Sequence, residues 1–278
     1  MAPPFRDILV PTDLSADANV AFAHALRLAV AARADLDVFQ VERRGEHTPN
    51  VAATLARWDF VRRPATARDV EELGVHARRT MAVNERPDGA ILDEMAATHA
   101  DLVVFATHGR SGLDGWLRPG GADHAIRKRA VPMLLLPPGA KGFVDVETGE
   151  TTLRRLLLPV DHTPDPRPGF EAAVALARTL GSADVEIATL HVGESPPDVS
   201  GLAVDPGWKA FHWTAGGNVV DEILATAATW SADVIVTVSE GRRSFLDNLR
   251  GSTMERLARR TRTPLMVVPA DWRPAVRT

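Results

Sequence analysis

Apolar residues in this chain fall into short unbroken runs, separated by longer stretches that are apolar at every third or fourth position. In the second half the runs near 155–160, 184–192, 208–215, 233–238 and 265–268 predict strands. The stretches near 167–180, 218–230 and 253–261 predict helices, and the Ala-rich stretch 18–32 is the first-half partner of 167–180. Continuous rather than alternating apolar runs suit parallel strands covered on both faces. Strands alternating with helices imply a parallel sheet with right-handed crossovers.

The pattern occurs twice. Adding 132 to a residue number carries His99-Ala100-Asp101-Leu102-Val103-Val104 onto Ser231-Ala232-Asp233-Val234-Ile235-Val236, Gly109 onto Gly241, and Pro132 onto Pro264. Upstream, Ile8-Leu9-Val10-Pro11-Thr12-Asp13 matches Leu156-Leu157-Leu158-Pro159-Val160-Asp161 at a shift of 148, so the first half carries an insert within roughly 43–74. A repeat of this length is a duplicated domain. Pro137-Pro138-Gly139-Ala140-Lys141-Gly142 separates the copies, and the following segment is expected to form a hairpin turning at Thr148-Gly149. The expected domains are 1–139 and 153–278.

Composition narrows the function classes. An apolar content of 45% and a charged content of 24% predict ordinary globular cores. A net charge of −4 gives no basic footprint for nucleic acid, and the Arg runs at 127–129 and 256–262 read as solvated helix faces. The chain has no cysteine, which excludes disulfides, thiol nucleophiles and thiolate metal sites. No apolar stretch reaches membrane-spanning length and no signal-peptide core is apparent, so a cytoplasmic protein is expected.

In an open parallel sheet, ligands bind beyond the carboxyl ends of the strands, where strand order reverses. Three features of the second half converge there: Asp161 ending the first strand, Gly241 following the fourth, and Gly251-Ser252 opening the last helix. A helix start offers unpaired N–H groups and partial positive charge to an anion, and Arg250 adds charge-assisted donors. The same residues have a structural reading: Ser252-Thr253-Met254-Glu255 is also a capping box, and Asp161 and Gly241 alone suit ordinary turns. Their common placement at one sheet edge favours the phosphate reading.

The chain resembles a tandem universal stress protein over nearly its full length. Members of that family that bind ATP carry G-x-x-G-x9-G-[S/T] after the fourth strand, and here the pattern reads Val238-x-x-Gly241-x9-Gly251-Ser252, lacking only its first glycine. The resemblance implies two tandem α/β domains, each a Rossmann-like open sheet of five parallel strands of the adenine nucleotide alpha hydrolase-like kind. It implies ATP with Mg²⁺ in the second domain: Asp161 beside the adenosine, Val192 bordering the adenine, and Gly241, Gly251, Ser252 and Thr253 around the phosphates. The first half reads Ala106-x-x-Gly109-x9-Pro119-Gly120, with a proline where an N–H is needed and no hydroxyl, so its site is expected to be degenerate. The resemblance further implies that the last strands, 132–137 and 264–269, pair across a pseudo-twofold axis, with a homodimer of chains as a further possibility.

His162, His191 and His212 fall near the expected carboxyl ends of three strands beside Asp161, a set whose convergence would suit Zn²⁺. Thr12, Gln40 and Thr80 occupy the matching places in the first half. The six tryptophans are scattered and form no base-stacking pattern. No catalytic triad, P-loop or dinucleotide fingerprint appears, so slow ATP hydrolysis is the most an enzymatic reading supports, with Asp161 and Glu240 placed for it by position alone. Two function classes remain: a regulator that binds an adenine nucleotide, and a nucleotide-free scaffold acting through protein contacts.

Overall fold

The computed structural model describes residues 4–41, 49–82, 87–107, 131–239 and 253–274. The first half runs β1 (Asp7–Thr12), α1 (Ala16–Ala32), β2 (Asp35–Val41), α2 (Val51–Arg57), α3 (Ala67–Glu72), β3 (Ala77–Ala82), α4 (Pro87–Thr98), β4 (Leu102–Ala106) and β5 (Met133–Leu136). The second runs β6 (Arg155–Pro159), α5 (Arg167–Thr179), β7 (Glu186–Val192), β8 (Lys209–Ala215), α6 (Val219–Trp230), β9 (Val234–Ser239), α7 (Thr253–Arg260) and β10 (Leu265–Pro269).

Among the described residues ten strands form one sheet in the order β3-β2-β1-β4-β5-β10-β9-β6-β7-β8. Each half is parallel throughout, and the halves meet through the antiparallel pair β5–β10, with Leu265 opposite Leu135 and Val267 opposite Met133. The two last strands thus cover each other's edges, which removes the unpaired backbone that each would otherwise expose. One apolar layer covers the α1 and α5 face of the sheet and draws on both halves. A second lies under α4, α6 and α7. Among the described residues no helix is long and apolar enough to cross a membrane.

The duplication extends to single hydrogen bonds. Asp101 accepts from the Arg6 and Asp7 amides at 2.9–3.1 Å, while Asp233 accepts from the Arg154 and Arg155 amides at 2.8 Å. Each carboxylate anchors the opening of its half's first strand from the turn that precedes the fourth. The turn residues His99 and Ser231 are both left-handed, with φ of 58° and 55°, a conformation that ends a helix sharply.

The first-half insert contains α2 and α3, whereas the connection from β7 to β8 has no helix. The inter-repeat segment lies on the first half. The Trp58 indole N–H donates to the Val146 carbonyl at 2.9 Å, and Arg27 donates to the Gly149 carbonyl at 3.1 Å. The expected hairpin is present as one bridge, Val144 to Thr151. Its base is held by His24 of α1, which is fully buried. Nδ1 of His24 donates to the Val20 carbonyl at 2.8 Å, leaving Nε2 to accept from the Phe143 and Val144 amides at 3.0 and 3.2 Å. Gly142 makes this approach possible: it has φ of 71°, and a Cβ there would sit 2.2 Å from the imidazole. Burial lowers the His24 pKa to about 4, so the ring is neutral at pH 7.

Candidate functional site

The sheet order of the second half reverses between β9 and β6. Diverging chains leave a cleft at such a point. A cavity of about 450 Å³ lies there, bounded by the carboxyl ends of β6, β7 and β9, the start of α6 and the first turn of α7. That volume falls within the range of small-molecule sites. Asp161, Val192 and Thr253 all line it, so three expected site residues from three separate segments share one cavity.

Each is placed by its element. Asp161 follows the last β6 residues, with its side chain 68% exposed, and its Oδ1 accepts from the His162 amide at 2.8 Å. Val192 ends β7, half-buried. Thr253 opens α7, whose Met254 and Leu257 turn their side chains into the same space. The Thr237 hydroxyl donates to Met254 Sδ at 3.1 Å and ties α7 to β9. Gly241, Arg250, Gly251 and Ser252, with Glu240, lie outside the described residues, as do Gly109, Pro119 and Gly120 of the first half.

Val238, which stands where the nucleotide motif has its first glycine, lines the cavity and also packs against α5. A Cβ on Gly169 would meet its Cγ2 at 2.8 Å. The missing side chain at 169 therefore makes room for the valine. Other wall residues, among them Thr163, Thr237, Ser239 and Ile223, had no distinguishing sequence signal beyond their positions near strand and helix ends.

The expected zinc ligands do not converge, and this corrects the sequence reading. His191 is buried and its Nδ1 lies 3.2 Å from the Val160 carbonyl and 4.0 Å from Asp161 Oδ1. His162 meets it edge-on with ring centroids 6.0 Å apart, but its Nε2 is bonded to the Ser195 carbonyl at 2.9 Å. His212 sits opposite Thr189, not His191, and its Nδ1 is hydrogen-bonded to the Thr189 hydroxyl at 2.8 Å. It lies three residues short of the end of β8, so strand register carries it away from the other two. Among the described residues no three His, Asp or Glu side chains are grouped to hold a metal ion.

The sequence profile described as "Universal stress protein family" matches residues 4–137 and 209–269. The chain belongs to the universal stress protein family. The matched ranges include Thr253 and the residues that precede it, while Asp161 and Val192 fall between them. The fold is similar to the crystal structure of a universal stress protein from Archaeoglobus fulgidus, with a TM-score of 0.60 and 19% identity over 94% of this chain and 95% of that one. It is similar also to a functionally unknown protein from Pseudomonas aeruginosa PAO1, with a TM-score of 0.59 and 17% identity over 95% and 92%. At these identities the likeness establishes the shared architecture of a universal stress protein. No curated protein matches the sequence.

Proposed function

We propose that this universal stress protein is a stress-response regulator that binds ATP or a related adenine nucleotide in the second of two repeat domains, 1–139 and 153–278. The observation that carries the reading is the cavity at the β6–β9 reversal, where Asp161, Val192 and Thr253 meet. The residues fit the two ends of such a ligand. Val192, Ile223 and Leu257 provide apolar contact for a base, and Asp161 offers an acceptor for ribose hydroxyls. Thr253 begins α7, so the phosphates would lie where that helix leaves its N–H groups unpaired. Gly251 and Ser252 immediately precede it in sequence. The first domain, with Pro119 in place of the motif glycine, serves in this reading as a structural partner.

A second reading is favoured by Val238, whose side chain occupies space beside α5 and lines the cavity where the ATP motif has glycine. On that reading the protein is a nucleotide-free scaffold. Titration calorimetry with ATP and Mg²⁺, on folded protein freed of copurified ligand, separates the two. Saturable binding with one site per chain supports the regulator; no heat at millimolar nucleotide supports the scaffold. Val192→Trp fills the cavity and is expected to weaken binding at least about tenfold, equivalent to about 1.4 kcal/mol.

A further inference from the structure

The two outer strands of the sheet, β3 and β8, occupy equivalent places in the repeats but present different edges. Strand register makes Arg78, Arg79 and Thr80 the counterparts of Phe211, His212 and Trp213. On β3, Arg78 pairs with Asp37 at 3.2 Å, and Arg79 reaches along the edge to the Pro49 carbonyl, also at 3.2 Å. Charged side chains on an outer strand are a standard guard against further strand pairing. The only charged residue of β8 is Lys209, at its start, and the strand contains no proline.

The backbone of β8 is divided by alternation. The Lys209 amide donates to the Val185 carbonyl, and the Ala215 carbonyl accepts from the Gly193 amide, so odd-numbered residues direct their peptide groups towards β7. Ala210, His212 and Thr214 direct theirs outward, and all three residues are exposed. On the α6 face, Phe211 and Trp213 are only half-buried. Their rings stack at 5.8 Å, and Trp213 meets the edge of Trp230 at 5.0 Å.

We propose that β8 pairs antiparallel with β8 of a second copy of this chain, about a twofold axis through His212. That register matches Ala210 with the partner copy's position 214 and His212 with itself, so every outward peptide group is used in a hydrogen-bonded pair. It sets Phe211 opposite position 213 of the other copy in the non-hydrogen-bonded sites, where side chains approach most closely. Aromatic cross-strand pairs of this kind stabilise sheets. Lys209 faces position 215, an alanine, so no like charges oppose each other. The chain already closes two strand edges in this manner, with apolar antiparallel pairs at β5–β10. The dimer therefore continues one sheet through two molecules.

The absence of cysteine from the chain permits a direct test of register. Directly opposed residues in hydrogen-bonded sites have Cα atoms about 5.5 Å apart, within disulfide reach. Mild oxidation should cross-link the His212→Cys variant with itself. Ala210→Cys and Thr214→Cys should each remain uncross-linked alone but join when mixed, and Arg79→Cys on β3 should give no dimer. By light scattering the wild type should show twice the mass of one chain at about 100 μM, a concentration that populates micromolar complexes. Thr214→Pro, which removes only an outward amide, should show the mass of one chain. A monomeric wild type, or cross-linking that does not follow this register, overturns the proposal.

Discussion

The same corner of the fold, built twice, is ionic in one half and aromatic in the other. In the first, Asp37 is 4% exposed and accepts from Arg78 at 3.2 Å and from the Thr80 hydroxyl at 3.1 Å, with Glu94 of α4 also bonded to it. In the second, the register places Ala188, Phe211 and Trp213 there, with Trp230 of α6 completing the cluster and Arg155 lying 5.9 Å above its ring. Both solve the burial of a sheet end under a helix, one by pairing charges and the other by filling volume. Duplicated backbones therefore constrain where side chains meet but leave the chemistry of the meeting free. In this molecule that freedom produces a guarded edge at β3 and an open one at β8. The sequence of the nucleotide motif diverges in the same way, with Gly251-Ser252 in one copy and Pro119-Gly120 in the other.

The linker deepens the asymmetry, because His24 ties it to the first half alone. His24→Leu leaves two buried N–H groups without an acceptor and should cost about 4 kcal/mol in denaturant unfolding. The histidine also predicts a pH response. Its folded pKa, about 4, lies below its ordinary 6.5 because burial penalises the charged ring. The stabilisation is thus complete above pH 6.5 and is lost as pH falls towards 4, by about 3 kcal/mol over that window. A variant that loses stability equally over the same window would show that another group is responsible.

Next in size, Trp213→Ala should cost about 3 kcal/mol through lost contact with Phe211 and Trp230. Its counterpart Thr80→Ala removes one hydroxyl from an ionic cluster and should cost about 1 kcal/mol. Equal losses in thermal or denaturant unfolding would mean that the two corners are held in the same way. The smallest expected effect is again one of pH. Burial and the neighbouring Asp37 carboxylate raise the Glu94 pKa above the ordinary glutamate range. Its contribution is full at low pH and declines as pH rises through the shifted value, a slope that Glu94→Gln should remove. No matching slope is expected from the second corner, where Ala188, Phe211, Trp213 and Thr226, none of them ionisable, stand in those places.

Periodicity makes the repeat and the strand positions legible in the sequence, and the family resemblance supplies the pairing of the two last strands. The predicted runs 155–160 and 265–268 became β6 at 155–159 and β10 at 265–269. What escaped the sequence depends on distances across the chain. Trp213 and Trp230 look scattered at a separation of 17 residues, yet the β8–α6 crossover brings their rings within 5.0 Å. His24 falls on the apolar side of an Ala-rich helix, and only its long-range amide partners show its task. His212 lies at the middle of β8 and not at its end, and a displacement of a few residues suffices to separate metal ligands. For the cavity at the β6–β9 reversal, Asp161, Val192 and Thr253 are identifiable because family resemblance and the reversal of strand order point to the same edge. Thr237 and Ile223 carried no such signal.

The nucleotide reading is tested most directly by calorimetry with ATP and Mg²⁺ on the wild type, Ser252→Asp and Gly120→Asp in parallel. One site per chain in the wild type, lost in Ser252→Asp through charge repulsion and retained in Gly120→Asp, is the predicted result. Equal loss from both substitutions, or a folded and ligand-free wild type that takes up no nucleotide at millimolar concentration, would contradict it.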